Sequence, residues 1–325
     1  MKRLSRFASL ILLASLGLHA GTALAQTYPS RPIRIVVPYP PGGNLDATAR
    51  LIGPKMADAL NQPVVVENRP GASAHIGQDL VAKAAPDGHT MLVDAGGLAV
   101  SPALYRNLPF NAARDFVPVT QLVISPLVLV AGSKLQAAST SDLIALAKSR
   151  PGGLNYGHTG VGNPLHLAME LFKLRAGIDI VAIPYKGDAP ISVALMAGEV
   201  DVAIVPLSSN LQSMRAGRMR ALSVAGARRS PALPDVPTAT EAGVAGYEYV
   251  GVHEMFMPAK TPRDIVALIQ REAVKALNMP DVRDRLLAMG LEIVGSTPEE
   301  FAAKYRADLE KYVRIVAEAR IPLQN

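Results

Sequence analysis

Two hydrophobic periods alternate along most of this chain. Short apolar, β-branched runs at Ile33–Val37, Val64–Glu67 and Met91–Val93 read as strands, and apolar positions at helical spacing read as helices at Ala47–Leu60 and Ile76–Ala84. A long β-rich stretch, "FVPVTQLVISPLVLVA", is interrupted by Pro118 and Pro126. A second series follows it: a helix near Asp142–Ser149, a strand at Leu154–Tyr156, a helix at Pro164–Arg175 and a strand at Ile180–Pro184. A helix at Ile191–Ala197, a strand at Val200–Val205 and one more helix and strand complete it. Strands alternating with helices of this size predict an α/β protein with parallel sheets built from βαβ units.

The C-terminal part reads as mostly helical. Thr261, Pro262 and Asp264 predict an N-cap, a proline at the first helical position and an acid at the third; Thr297, Pro298 and Glu300 repeat that arrangement as a capping box. In the last helix Phe301, Tyr305, Leu309 and Tyr312 share one face, which is expected to be core. No internal repeat or low-complexity tract is present.

Catalytic motifs fail one by one. "GNLDATAR" lacks the Lys-Ser/Thr of a phosphate-binding loop, and Leu165 stands where "GHTGVGNPL" needs the third glycine of a dinucleotide fingerprint. "HEMFM" has Met257 in place of the second zinc-binding histidine, and no G-x-S-x-G elbow exists. His158 and His166, eight residues apart, are expected to face different environments without a carboxylate partner. The reading is of a non-enzyme, with no catalytic residue, cofactor or metal.

Three strand-to-helix turns share a design: "PYPPGGNLD" (38–46), "GHTGVGNP" (157–164) and "PYKGDAP" (184–190). Such turns lie at the carboxyl ends of strands, where α/β sheets bind ligands. Glycine lets backbone approach a ligand, and the following helix offers unpaired N–H groups with partial positive charge, which suits a carboxylate. The other reading is three ordinary connections. Asp46 either balances its helix N-terminus and pairs with Arg50 or contacts the ligand. Lys186 either steers anions or is a solvated surface lysine.

The first 25 residues change the compartment. Lys2, Arg3 and Arg6 precede an apolar run at Ala8–Leu18, and Ala23-Leu24-Ala25 reads as a cleavage site, so residues 1–25 are expected to be a signal peptide and Gln26 the mature N-terminus. Removing those three cations lowers the formal charge from +6 to +3 and leaves 325 − 25 = 300 residues. That length favours two lobes over one core. Mild basicity without a Lys/Arg block argues against a nucleic-acid partner. No apolar stretch after the leader approaches membrane-spanning length. The chain has no cysteine, hence neither a disulfide nor a lipid-anchored cysteine.

The stretches "YPSRPIRIVVPYPPGGNLDATAR", "QPVVVENRPGASAHIG", "AKAAPDGHTML", "LNYGHTGVGNPLHLAMELFK", "IPYKGDAP", "AGEVDVA", "RRSPALPDVPTATEAG" and "GSTPEEFAA" resemble the Bug family over nearly all of the mature chain. These are periplasmic solute-binding proteins of the tripartite tricarboxylate transporter type. The resemblance implies a two-lobed, type II-like periplasmic binding protein with a cleft between doubly wound lobes, here residues 26–125 plus 254–325 and residues 126–253. It implies a monomer that closes on a small carboxylate and delivers it to a membrane permease; the alternative is a sensing subunit that presents it to a signalling protein. Carried onto this sequence, the ligand loops are Tyr39, Pro41, Gly42, Gly43 and Asn44, and His158, Thr159, Gly160, Gly162 and Asn163, with Tyr185 in the third turn. Three segments depart from the family: "DAGGLAV" with Gly96, Gly97 and Leu98, then Val205 with Pro206, and "GVHEMFMP" with His253 and Glu254. If Leu98, Val205 and Pro206 line the cleft, its far end is apolar and suits aromatic or medium-chain monocarboxylates. His253 either points inward or sits between lobes. Gly43→Val is expected to abolish binding by restricting φ and blocking the ligand's approach.

Overall fold

The computed structural model describes residues 28–324; the signal-peptide reading lies outside the described residues. In its first half β1 (Ile33–Val37) pairs in parallel with β2 (Val64–Asn68) on one side and β3 (Thr90–Asp94) on the other. The connections are α1 (Asn44–Leu60), then a short 3-10 turn at Ala72–Ala74 leading into α2 (His75–Ala82). Beyond β3 come α3 (Gly97–Leu104) and β4 (Phe116–Ser125).

Pro126 is where the chain changes sheets. β5 (Leu127–Ala131), α4 (Thr140–Ser149), β6 (Asn155–His158), α5 (Pro164–Ala176), β7 (Val181–Pro184), α6 (Asp188–Ala197), β8 (Val202–Pro206), α7 (Leu207–Arg215) and β9 (Arg220–Val224) follow. Their sheet has the order β7-β6-β8-β5-β9. The chain then returns through β10 (Gly251–Pro258), α8 (Arg263–Leu277), α9 (Pro280–Ala288), β11 (Glu292–Ile293) and α10 (Pro298–Glu318). The first sheet becomes six-stranded, β11-β4-β10-β3-β1-β2. The expected second boundary, 253/254, falls inside β10, which pairs wholly within that sheet.

Both sheets are mixed rather than parallel. β5 runs antiparallel to β8 and β9, and β10 antiparallel to β3 and β4. The cause is the crossing itself. The βαβ strands end at the junction, whereas β5 and β10 start there, so each runs against its neighbours: Leu127 faces Pro206, and Glu254 faces Asp94.

Pro118 does not end its strand. It faces Phe256 where the register of β4 against β10 shifts, an irregularity that accommodates a residue with no N–H to give. Thr261 does not cap α8 either. Its hydroxyl donates to the Pro258 carbonyl, and Pro262 takes the cap position. Thr297 and Glu300 do form the capping box of α10.

Burial on both faces explains the unbroken apolar runs. Ile33, Ile35, Val37, Met91 and Val93 pack with Met255 and Met257 against α1 and α8, while Val36, Leu92 and Phe256 enter the core on the other face. In the second sheet Val128, Val130, Ala203 and Val205 face α6 and α7, and Leu127, Leu129, Val202 and Ile204 face α5. That alternation is the period-2 geometry of a strand. Phe301, Tyr305 and Tyr312 are buried as their spacing predicted.

Candidate functional site

The ends of β1, β3, β6, β7 and β8 converge on the junction between the sheets, and five helices begin there: α1, α3, α5, α6 and α7. Their first-turn N–H groups have no intrahelical acceptors and carry partial positive charge. The first turn contains the only left-handed residue of the Gly42–Gly43 pair. Gly42 has φ +89°, whereas Gly43 has φ −77° and open space where a Cβ would stand. The φ restriction expected for Gly43→Val therefore belongs to Gly42; at Gly43 only the blocking of approach remains.

Asp46 fills a structural role in this turn. Its carboxylate accepts the Gly42 N–H at 3.0 Å, the Asn68 amide at 2.9 Å and the Arg50 Nε at 3.0 Å. Burial pushes its pKa up, but those three donors outweigh it and the net shift is downward. Asn44 reaches further: its side-chain amide donates to Ser125 Oγ at 2.9 Å and Ser208 Oγ at 3.0 Å. Ser125 ends β4 and Ser208 lies in α7, so one amide ties α1 to the crossover and to the second sheet.

The second turn is held from within by its histidine. His158 is 1% exposed, and its Nδ1 accepts the Gly160 N–H at 3.2 Å. Burial lowers its pKa, which keeps the imidazole neutral and able to accept. Contrary to expectation, His158 and His166 meet, with ring centroids 4.7 Å apart. The five-residue turn at 159–163 folds α5 back over its own strand and brings the two rings together. Asn163 caps α5 through Leu165 N–H, with Pro164 at the first helical position. Gly162 has φ +79°, and a Cβ there would stand 2.6 Å from the Tyr105 ring.

Contacts across the junction clamp this turn. The Tyr105 hydroxyl donates to the Val161 carbonyl at 2.7 Å, and Ser73 Oγ donates to the same oxygen at 3.3 Å. Ser73 sits in a run of three non-glycine residues with positive φ, Ala72–Ala74. None of Ser73, Tyr105, Ser125 and Ser208 stands out in the sequence, because each acts through a partner on a distant segment.

Two hydroxyls are shut in at the junction: Thr159 Oγ1 has no hydrogen-bond partner, and Tyr39 Oη has the Asn163 side chain beside it but outside ordinary hydrogen-bond geometry. Burial, followed by the charges of Asp94 and Asp188, raises the Tyr39 pKa well above normal, so the phenol keeps its proton. Gly96 and Gly97 form the turn beside it, and a Cβ on Gly97 would lie 3.0 Å from Tyr39 Oη. Asp94, fully buried, accepts the Gln78 amide at 3.0 Å and the Leu98 N–H at 2.9 Å. Pro41 and Lys186 are exposed on the junction's rim, and Tyr185 is partly buried, its N–H bonded to the His158 carbonyl.

Other residues lie away from this cluster. Val205 packs in the core against α6 and α7, and Leu98 in the core shared by α3 and α10. Neither supplies the apolar cleft end expected of it. His253 lies under α1, bonded to Thr48 Oγ1 at 2.9 Å; burial drives its pKa to about 3, and the ring stays neutral.

Residues 48–321 match the description "Tripartite tricarboxylate transporter family receptor". A protein of Pseudomonas sp. strain P51 is 40% identical over 93% of this chain and 94% of its own length. BugT of Bordetella pertussis is 37% identical over 96% of this chain and 98% of its own. Among solved structures, R. palustris Rpa4515 with adipate is 34% identical, with a TM-score of 0.86 over 91% of this chain and 100% of that one. MatC of Rhodopseudomonas palustris with bound malate is 32% identical, with a TM-score of 0.84 over 89% of this chain and 100% of that one. Two sheets exchanging strands at one junction, with helix N-termini gathered there, accord with these matches: the chain belongs to the tripartite tricarboxylate transporter receptor family.

Proposed function

We propose that this protein is a periplasmic receptor that captures a small carboxylate between its two lobes and delivers it to a permease of the tripartite tricarboxylate type. One observation carries the reading. At the junction of the sheets, helix N-termini of both lobes gather with two shut-in hydroxyls, Tyr39 Oη beside Asn163 and Thr159 Oγ1 without a partner. Buried polar groups are ordinarily paired, and under-satisfied hydroxyls among helix N–H donors suit an anionic, hydrogen-bonding guest. The ligand carboxylate rests on the first turns of α1 and α5, at Gly43–Leu45 and Thr159–Gly162. Asp46, His158 and Asn163 shape those turns without touching it. The lobes divide where the chain changes sheets, at Pro126 and in the connection between β9 and β10. Relatives carry adipate and malate, and acids of this size are the first to screen.

Native mass spectrometry of freshly purified protein, followed by a thermal-shift screen of carboxylates, tests the receptor role. A co-purified small acid, or a rise in melting temperature with at least one acid, is expected; no response to any acid and no bound acid overturns it. Transport by vesicles holding the cognate permease, only when this protein is added, tests delivery. Export with cleavage after Ala25 is checked by N-terminal sequencing of the periplasmic protein, which is expected to begin at Gln26.

A further inference from the structure

The Asn44 side chain gives both of its amide hydrogens to other parts of the protein. One goes to Ser125 Oγ at 2.9 Å and the other to Ser208 Oγ at 3.0 Å. An asparagine amide has two N–H donors, so none remains for a ligand, and the oxygen left over is an acceptor that a carboxylate repels. The main chain of Asn44, by contrast, opens α1, with its N–H in the first turn. Asn44 therefore belongs to the ligand seat through its backbone, while its side chain is committed elsewhere.

That commitment is to the place where the chain changes sheets. Ser125, 3% exposed, is the last residue of β4, directly before Pro126, and it pairs with Gly251, the first residue of β10. The two crossings touch there: a Cβ on Gly251 would stand 2.5 Å from the Ser125 carbonyl oxygen. Ser208 lies in the first turn of α7, next to Leu207, whose N–H bonds the Pro126 carbonyl at 2.8 Å. Tyr105 and Ser73 bridge the sheets elsewhere, at Val161. Val161 follows β6, which lies two strands from β5 and so roughly 10 Å further from the crossing. In a hinge motion, displacement grows with distance from the axis. A bond at the crossings changes length little and persists as the lobes turn, whereas one at Val161 parts.

We propose that Asn44 is a positioning residue of the receptor. Its side-chain amide is a strut between α1 and α7 at the hinge, and it keeps the carboxylate seats of α1 and α5 aligned while the lobes move. The purpose of the strut rests on the reading of the junction as a two-lobed carboxylate receptor.

The chain has no cysteine, so an introduced pair takes spin labels at those two sites alone. Asp58→Cys on the exposed side of α1 and Val193→Cys, 62% exposed on α6, report the distance between lobes by double electron–electron resonance, without ligand. In this labelled protein Asn44→Ala is expected to broaden the distance distribution about twofold, with a melting loss of only a few degrees. Ser208→Ala is expected to do the same, and Ser208→Thr, which keeps the hydroxyl, to retain the native distribution. The double variant Asn44→Ala with Ser208→Ala is expected to broaden it no further than either single change, because both remove one contact. The inference is overturned if Asn44→Ala leaves the distribution as it is in the native protein, or if the two single effects add. It is equally overturned if Asn44→Ala broadens the distribution and Ser208→Ala does not, since the side chain then acts within α1 alone. No ligand enters the measurement, so its failure overturns the strut alone, and failure of every acid to bind in the carboxylate screen overturns the receptor reading.

Discussion

Glu254 is the residue whose charge the fold controls most tightly. It is 1% exposed on β10, beside Asp94 in the neighbouring strand, with Lys304 at 3.1 Å and Asp308 sharing that lysine. Burial outweighs the lysine and pushes its pKa up to about 7 from an ordinary 4.5. Between those values the folded protein holds a proton that the unfolded chain has released. Its contribution to stability therefore falls as pH rises through that window, by about 1.4 kcal/mol per unit of pKa difference. Glu254→Gln is expected to be the more stable form at pH 8, with its advantage shrinking towards pH 5; chemical denaturation of both proteins at four pH values measures this. Gly162 gives a different residue-scale prediction. Its left-handed φ and the Tyr105 ring 2.6 Å from a Cβ mean that Gly162→Ala both strains the turn and wedges the lobes apart. Ligand affinity is expected to fall at least tenfold with a melting loss of only a few degrees, read by titration and calorimetry. Sequence alone marked Gly162 as a turn glycine, but the obstructing ring is 57 positions away in the chain.

At the scale of elements, local chemistry was legible wherever a helix or strand is decided by its own residues. Asn163 with Pro164 starts α5 and Thr297 with Glu300 starts α10, because a cap needs only neighbours within four positions. The two reciprocal bonds at Thr297, 2.9 and 3.2 Å long, give the next prediction. Thr297→Ala is expected to cost about 1 kcal/mol of stability without changing ligand affinity, as denaturant titration and calorimetry will show. Strand direction was less legible. A βαβ rhythm predicts parallel neighbours, yet β5 and β10 carry the same apolar alternation in either direction. Thr261 does not cap its helix because its hydroxyl finds a closer carbonyl behind it, at Pro258.

Across the whole molecule, one apolar cluster runs from β1, β3 and α10 into β5, β8 and α5, and the polar contacts bridging the sheets include Tyr105 and Ser73 on Val161, Asn44 on Ser208, Arg228 with Glu292, and Arg175 with Glu318 at 2.7 Å. Exposed polar contacts of this kind are individually weak, so the lobes are expected to separate about the crossovers when no ligand adds to them. Small-angle scattering should then give a smaller radius of gyration with ligand than without. Tyr105→Phe, which removes the 2.7 Å bond but keeps the ring, is expected to weaken binding a few-fold while leaving the ligand-free profile unchanged. Identical profiles at saturation would show that closure does not depend on ligand.

The sequence by itself determined the α/β class, most strands and helices though not α3, α9, β10 or β11, the turns at 38–43 and 159–163 and the family resemblance. These rest on periodicity, capping and glycine chemistry, which act over a few neighbouring residues. Only the tertiary structure decided which side chains reach the junction. Val205 and Leu98 turn into cores because strand alternation and helix packing assign their faces, and His253 is drawn under α1 by Thr48. Ser125, Ser208 and Tyr105 arrive there from separate segments, brought together by two chain crossings whose geometry no local pattern records.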